Sequence, residues 1–174
     1  MYRLFLKKLP SRALILTLLA CAINVSYAKK IDLNQEVKIS SSRTAADLKN
    51  KIFSYIDNVV ITQGTLIIHA NLVQVISQGE NDDKTYIAKG NPATFEQVLE
   101  DGKPINLQAN EIRYEPTLNT VFLSGNALLR QEGSEVSGSI ITYNAETEYV
   151  NAESDSHNRV KTIIQPQTQS KDEQ

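Results

Sequence analysis

The residues that could carry out catalytic or metal chemistry are few in this chain and far apart. The 174-residue sequence has two histidines, His69 and His157, and one cysteine, Cys21. His69 falls on the outward face of an alternating strand pattern and His157 in a polar turn, so neither a metal pair nor a Ser/His dyad has a geometric basis. The acidic runs 80–83 and 172–173 fall in a predicted loop and tail, where charge is usually solvated. The sequence therefore predicts no metal, no cofactor and no enzyme activity.

The N-terminal segment has the layout of an export signal. Its first twelve residues hold four basic side chains and no acidic one, and an apolar run follows over residues 13–25. Ser26 and Ala28 then supply the small residues three and one before a cleavage point. The apolar run is too short to cross a bilayer as a helix, which takes about 20 residues. We therefore predict a signal peptide over residues 1–28, cleavage after Ala28 and a periplasmic mature protein.

The mature chain left by this cleavage excludes several classes of protein. Its net charge is −6 and it has no thiol, because the leader holds four basic residues and Cys21. The acidic balance disfavours nucleic acid, whose binding depends on Lys and Arg neutralising phosphates. A chain without thiols has no disulfide, thiolate zinc site or Cys nucleophile. One alternative stays open, because Leu18-Leu19-Ala20-Cys21 resembles a lipoprotein cleavage site in which Cys21 would carry the lipid.

Beyond residue 30 the sequence alternates polar and apolar residues with a period of two, which predicts β-strands. Clear examples span residues 36–40, 59–63 and 111–115, and turn residues separate these short runs. Residues 42–49 contain two alanines and a leucine and could form one helical turn. The polar segment 165–174 predicts a disordered tail. The predicted fold class is all-β, with one domain over residues 29–164.

A unit of strand, turn, strand, corner and strand recurs along the chain. Equivalent asparagines are 33 and then 35 residues apart, and the middle copy holds one extra residue, for which Pro92 at a bulge is the candidate. One unit cannot bury its apolar face alone, so the copies must stack into two facing sheets that stay open at both ends. Open ends leave strand edges unpaired, which indicates end-to-end association by strand addition. The copies are marked by Asn58, Asn91 and Asn126, each followed by a strand that reaches Gln63, Gln97 or Gln131.

The alternation places one set of uncharged side chains on the inner face of the stack. This apolar interior has two interpretations, a dry core or a hydrophobic groove that holds a lipid, and both require the same pattern. Fourteen residues of this face are the candidates for lipid contact: Val37, Ile39, Val59, Ile61, Ile68, Val73, Tyr86, Phe95, Leu107, Ile112, Tyr114, Leu123, Leu129 and Tyr143. The same face also holds Phe53, Tyr55, Val75, Val121, Val136 and Ile141. The candidate interface residues at the open ends are Val37, Ile39, Val160, Thr162 and Ile164.

Six short motifs follow one another along the chain, at residues 57–65, 68–70, 90–95, 101–104, 123–129 and 140–143. In this order they resemble the OstA-like family of periplasmic lipopolysaccharide-transport proteins. The resemblance runs from about Gln35 to Asp155, nearly all of the mature chain. A single Gly-Asn strand would be weak evidence, whereas the ordered set behind a signal peptide is specific.

The resemblance implies a twisted, V-shaped β-jelly-roll of stacked antiparallel strands, open at both ends. It also implies a bridge whose copies stack head to tail and carry lipopolysaccharide from the inner to the outer membrane along a hydrophobic groove. The implied partners are lipopolysaccharide through its lipid A moiety, further copies of the chain, an inner-membrane LptC-like protein and an outer-membrane LptD-like protein. Phe95, Ile112 and Tyr114 of the middle repeat should then face the acyl chains.

Two other functions stay open on the residues alone. A structural or adaptor β-domain of the cell envelope would have a dry core and would bind only proteins. A β-solenoid enzyme acting on polysaccharide would need a row of carboxylates along one outer face of the stack.

Overall fold

The computed structural model describes residues 35–79, 81–156 and 158–166, and most of them lie in antiparallel strands. The predicted signal peptide and residues 167–174 of the predicted tail lie outside these ranges. A 3₁₀ turn at Pro116–Leu118 joins two strands, and no helix in the described part of the chain is long and apolar enough to span a membrane. The strands are β1 (Lys38–Ser40), β2 (Arg43–Asp47), β3 (Ile52–Gln63), β4 (Leu66–Gln78), β5 (Asp83–Val98), β6 (Pro104–Glu115), β7 (Thr120–Gln131), β8 (Ser134–Asn144), β9 (Tyr149–Glu153) and β10 (Lys161–Ile163).

Within the described residues these ten strands form one antiparallel sheet, which confirms the predicted all-β class. The strand order is β1-β3-β4-β5-β6-β7-β8-β10, while β2 pairs with β3 and β9 pairs with β8. β2 corrects one expectation, because residues 42–49 include a strand and not a helical turn. Arg43 to Asp47 pair with residues 52–56 of β3, and this ladder satisfies backbone groups that an isolated helical turn would leave free.

Each long strand changes register near its middle, and these irregularities line up across the sheet as one bend. β3, β5 and β7 place residues 57–58, 90–92 and 125–126 opposite a single unpaired residue of the following strand. Residues 57–58 and 125–126 have positive φ, the left-handed region that Gly, Asn and Asp tolerate best. β5 instead contains a cis Asn91-Pro92 bond. The extra residue of the middle copy therefore lies at the bulge around Pro92, as predicted.

The bend divides the sheet into two facing leaves, which gives the V-shaped arrangement. The chain crosses from one leaf to the other between β1 and β2, and crosses back between β9 and β10. The first leaf consists of β2, residues 52–56, 72–78, 83–89, 111–115, 120–124 and 140–144, and β9. The second leaf consists of β1, residues 59–63, 66–70, 93–98, 104–109, 127–131 and 134–138, and β10.

The hydrophobic core lies between the two leaves, where the alternation placed it. Of the twenty predicted inward residues, fifteen are buried and four, Val37, Ile39, Tyr55 and Val136, are partly buried against them. The remaining one, Phe53, is 38% exposed at the end of the molecule that carries β1 and β2. The prediction missed several smaller or intervening members of the core: Leu66, Ala88, Ala93, Leu99, Ile105, Ala109 and Ala127.

Candidate functional site

The space between the leaves, called the lumen below, is the candidate site. At its centre the two walls touch, and Phe95, Ile112 and Leu123 are 0% exposed. The Phe95 ring meets the Tyr114 ring edge-on with centroids 5.6 Å apart, and Tyr114 lies 6.1 Å from Tyr86. The structure therefore brings the predicted lipid-contact residues of the middle repeat together, in a packed arrangement.

At the β1 end the walls separate and leave a cavity of about 320 Å³. β1 contributes one wall from the second leaf, and β3, β4 and β5 contribute the other from the first leaf. The exposure of Phe53 shows that the cavity reaches solvent. Its lining residues are Val37, Ile39, Phe53, Tyr55, Val75, Ser77, Lys84 and Tyr86.

Lys84 is a residue of the cavity that the sequence analysis missed. It lies opposite Ser77 in the β4–β5 ladder, on the face of β5 that Tyr86 and Ala88 also occupy. The alternation Lys84-Tyr86-Ala88 could have predicted that Lys84 lies on the inner face of β5. A lysine at the start of a strand is, however, usually interpreted as a solvated charge. Its position gives the rim of an otherwise apolar cavity a positive charge, which can attract an anionic group.

Polar side chains also line the inner face of the second leaf. Gln63 and Gln97 are 7% and 6% exposed, and the Gln63 amide donates a hydrogen bond to the Gln35 carbonyl at 3.2 Å. On the first leaf the Tyr143 hydroxyl is buried and has no hydrogen-bond partner within the described residues. Burial, with the Glu148 and Asp101 carboxylates as smaller causes, raises the pKa of Tyr143 to about 12. Burial also raises the pKa of Tyr86.

The predicted interface residues lie at opposite ends of the second leaf. Ile39 is in β1 and Thr162 is in β10, and each of these strands is paired on one side within the described chain. Val37 precedes β1, while Val160 and Ile164 flank β10 and are exposed. Both ends therefore present strand edges with free backbone donors and acceptors.

The outer faces carry several of the charged side chains. Lys89 pairs with Glu111 at 2.9 Å, and Arg113 lies 4.4 Å from the centre of the Phe122 ring. His69 is exposed on β4, as predicted, whereas His157 lies outside the described residues. No group of three or more His, Cys, Asp or Glu side chains in the described ranges could hold a metal ion.

The described part of the chain is a bent antiparallel sheet with an apolar lumen and unpaired strand edges at both ends. These features define the class of open-ended, lumen-forming β proteins. Residues 38–149 match the family described as "LptA/(LptD N-terminal domain) LPS transport protein". The chain belongs to this family, which is a family of transport proteins and not of enzymes. Its role is therefore in lipopolysaccharide transport.

Several curated relatives and solved structures are similar to the chain. Lipopolysaccharide export system protein LptA of Haemophilus influenzae is 34% identical over 163 residues, covering 92% of this chain and 95% of the relative. LptA of Escherichia coli K12 is 36% identical over 151 residues, covering 86% and 81%. The crystal structure of LptH, described as the LptA-homologous periplasmic component of the lipopolysaccharide transport device of Pseudomonas aeruginosa, has a TM-score of 0.71 at 28% identity. That match covers 78% of this chain and 99% of the LptH chain.

Proposed function

We propose that the chain is a periplasmic bridge that binds lipopolysaccharide, with the acyl chains in the lumen and the phosphorylated sugars at its mouth. The observation that carries the proposal is the lumen itself, whose walls are mainly apolar and which opens into a solvent-reaching cavity at the β1 end. The relatives named as lipopolysaccharide export proteins support this cargo.

Burial of acyl chains is the free energy that such binding would use. An acyl chain of about 14 carbons gains on the order of 10 kcal/mol gross, at about 0.8 kcal/mol per methylene. Because Phe95 and Ile112 are in contact with other side chains and not with solvent, lipid can occupy the centre only if the leaves move apart. Apolar contacts between the leaves would then be exchanged for contacts with the lipid, so the net cost of opening is smaller than that of exposing the walls to water.

End-to-end stacking would join several lumens into one path. We propose that β1 of one copy pairs with β10 of the next, which continues the second leaf, and that β2 and β9 lie beside each other to continue the first leaf. The edges that this requires are present at opposite ends of both leaves. By the same edges, the terminal copies would bind an inner-membrane LptC-like protein and an outer-membrane LptD-like protein.

A photo-crosslinking experiment tests the lumen assignment. A photo-reactive amino acid at Phe95, which faces the lumen, should capture lipopolysaccharide in cells. The matched control is Arg113, which is on the outer face of β6 beside Phe122 and should capture none. Equal labelling at both positions would refute the proposed path of the lipid.

A purely structural adaptor domain is the second candidate, because the closed centre of the lumen is also what a dry core would show. The two functions differ in what the purified mature protein carries. Native mass spectrometry should detect bound lipid A in a transport protein that binds its cargo. A protein that stays empty when it is incubated with lipid A would favour the adaptor.

A further inference from the structure

Rows of paired residues run straight across the first leaf, from one edge of the described sheet to the other. The row nearest the bend begins at Arg43 of β2, passes through Lys89 and Glu111 and ends at Glu153 of β9. It faces outward, because the next row along the strands contains Ile112, which is 0% exposed and faces the lumen. The two edges of the leaf therefore present opposite charges in the same row.

Both leaves are built from an even number of strands. Each contains the six long strands β3 to β8 and one short strand at either edge, which makes eight. Because neighbouring strands are antiparallel, the first and the eighth strand of a leaf run in opposite directions. A second copy in the same orientation therefore sets its β2 antiparallel to β9 of the first copy, and its β1 antiparallel to β10. Stacking can thus continue both leaves with the pairing that the sheet already uses.

The two leaves also agree on the register of such a stack. In the second leaf, the inner-face row that starts at Ile39 of β1 ends at Thr162 of β10. When two copies join without a shift, Thr162 therefore faces Ile39 of the next copy while Glu153 faces its Arg43. A shift of one residue would turn inner side chains outward, because neighbouring residues of a strand point to opposite faces. One unshifted register thus serves both leaves at once.

Shifts of two residues keep the faces, so side chains must decide between these registers. One such shift sets Arg43 opposite Asn151, which is uncharged. The other sets Arg43 opposite Asp155, which lies beyond the end of β9 and is already hydrogen-bonded to Ser139 and Asn158. Of the three registers, the unshifted one brings together two oppositely charged residues that both belong to strands.

The side chains concerned are suited to an ion pair between copies. Across the β5–β6 ladder the same row already pairs Lys89 with Glu111, 2.9 Å apart. Arg43 pairs with Asp57 at 2.8 Å, but its side chain is 67% exposed and its guanidinium has further N–H donors. Glu153 forms no ion pair with any residue that the structure describes. Opposite charges that face each other across an antiparallel ladder stabilise the pairing, and like charges destabilise it.

We propose that a salt bridge between Glu153 of one copy and Arg43 of the next fixes the register in which copies of the chain stack. This inference rests on the proposed function, which supplies the stacking. The salt bridge is exposed to solvent, so it selects among registers and supplies only a small part of the stacking free energy. Backbone pairing of the edge strands and the apolar inner rows supply the rest.

Charge-swap variants of the mature chain test the salt bridge. Glu153→Arg sets two arginines face to face and should weaken the association between copies by about 3- to 30-fold in sedimentation velocity, less at high salt. Arg43→Glu should weaken it similarly. The double variant Arg43→Glu/Glu153→Arg restores the pair in reverse and should associate at least about 3-fold more tightly than either single variant. The control Glu96→Arg makes the same charge change on the outer face of the central strand β5 and should associate as the unaltered chain does.

Disulfide trapping tests the register itself, because the predicted mature chain has no cysteine. Ala45 and Asn151 occupy the next outer row and should face each other between copies. Ala45→Cys/Asn151→Cys should therefore form disulfide-linked ladders under mild oxidation. In the matched control Ala45→Cys/Glu153→Cys, the Cα atoms would lie about 7–8 Å apart, beyond the usual reach of a disulfide, so it should stay unlinked.

The outcomes separate this inference from the stacking proposal. If the unaltered chain stacks but the double charge variant stays as weak as the single variants, the salt bridge is refuted and stacking stands. The same conclusion follows if the control cysteine pair links as well as the pair at Ala45 and Asn151. If the unaltered chain stays monomeric at every concentration, both the stacking and the salt bridge are refuted.

Discussion

Phe95 on the second leaf packs edge-on against Tyr114 on the first leaf, with ring centroids 5.6 Å apart and an angle of 72° between the rings. Aromatic pairs in this geometry stabilise a fold by about 0.5–1.5 kcal/mol beyond the area they bury. Because the contact joins the two leaves, it closes the centre of the lumen. It is also a contact that any lipid passing through the centre must replace.

Phe95→Ala should lower the free energy of unfolding by about 3–5 kcal/mol, because the ring is fully buried and its loss leaves a cavity between the leaves. Urea denaturation of the purified mature chain measures this. Phe122→Ala on the outer face is the matched control and should cost about 1–2 kcal/mol, mainly through the loss of its contact with Arg113. Equal costs would show that the leaves do not pack through Phe95.

Alkaline pH should destabilise the chain through Tyr143. Its pKa is raised to about 12 in the folded state from the ordinary value of 10.0, so between these values the unfolded state loses the proton first. The contribution of Tyr143 to the free energy of unfolding is intact below pH 10. It is lost as the pH rises towards 12, at up to about 1.4 kcal/mol per pH unit. Urea unfolding midpoints at pH 8 to 11.5 should fall less steeply for Tyr143→Phe than for the unaltered chain.

The control for the loss of a tyrosine hydroxyl is Tyr149→Phe, at an exposed position of β9. At pH 7, Tyr143→Phe should be as stable as the unaltered chain or more stable, since its hydroxyl has no partner in the described residues. A loss of more than about 1 kcal/mol at pH 7 would mean that the hydroxyl has a hydrogen bond in the folded protein.

Gly138→Ala should loosen the end of the sheet that carries β9. A Cβ atom at Gly138 would lie 2.7 Å from the backbone oxygen of Glu153, so β9 must shift away from β8. We expect a loss of about 1–3 kcal/mol of stability and faster amide hydrogen exchange over residues 149–153. Ser137→Ala, one residue earlier, is the control, and similar exchange in both variants would contradict the steric argument.

Deletion of residues 159–174 should convert stacked oligomers of the mature chain to monomers. The deletion removes β10, so the edge of the second leaf that would receive β1 of the next copy is lost. Light scattering over a range of protein concentrations measures the distribution. Removal of residues 167–174 alone keeps β10 and should leave the oligomers intact, whereas an unchanged distribution in the longer deletion would exclude β10 from the interface.

Lys84→Gln should reduce the preference for lipid A with two phosphates over lipid A with one. Lys84 is exposed at the rim of the cavity, so we expect a change of about 2- to 5-fold that shrinks as salt is raised. Lys89→Gln, on the outer face of the same strand, is the control because Lys89 pairs with Glu111. If both substitutions changed the preference equally, the cause would be the net charge of the protein and not a contact between Lys84 and a phosphate at the rim.

Much of the fold could be predicted because its signals are local and repeated. The two-residue alternation identified fifteen buried residues of the inner face, and the copy spacing located the bulge around Pro92. The prediction of a helical turn over residues 42–49 was wrong because helix propensity, even that of alanine, determines local structure only weakly and the pairing of Arg43–Asp47 with β3 overrides it. Leu66 and Ile105 were missed because they lie beside turns, where the alternation has too few residues to set its phase.

The family and the apolar character of the lumen were determined by the sequence alone, because the motif order and the alternation are properties of the chain in one dimension. The tertiary structure decided that the lumen is closed at Phe95 and Tyr114 and open at the β1 end, since contact between leaves depends on how the bend brings distant strands together. It also turned Lys84, Gln63 and Gln97 towards the lumen. From the sequence alone, a polar residue in an alternating strand is interpreted as solvent-facing. Its burial depends on the residues of the facing leaf, which only the tertiary structure shows.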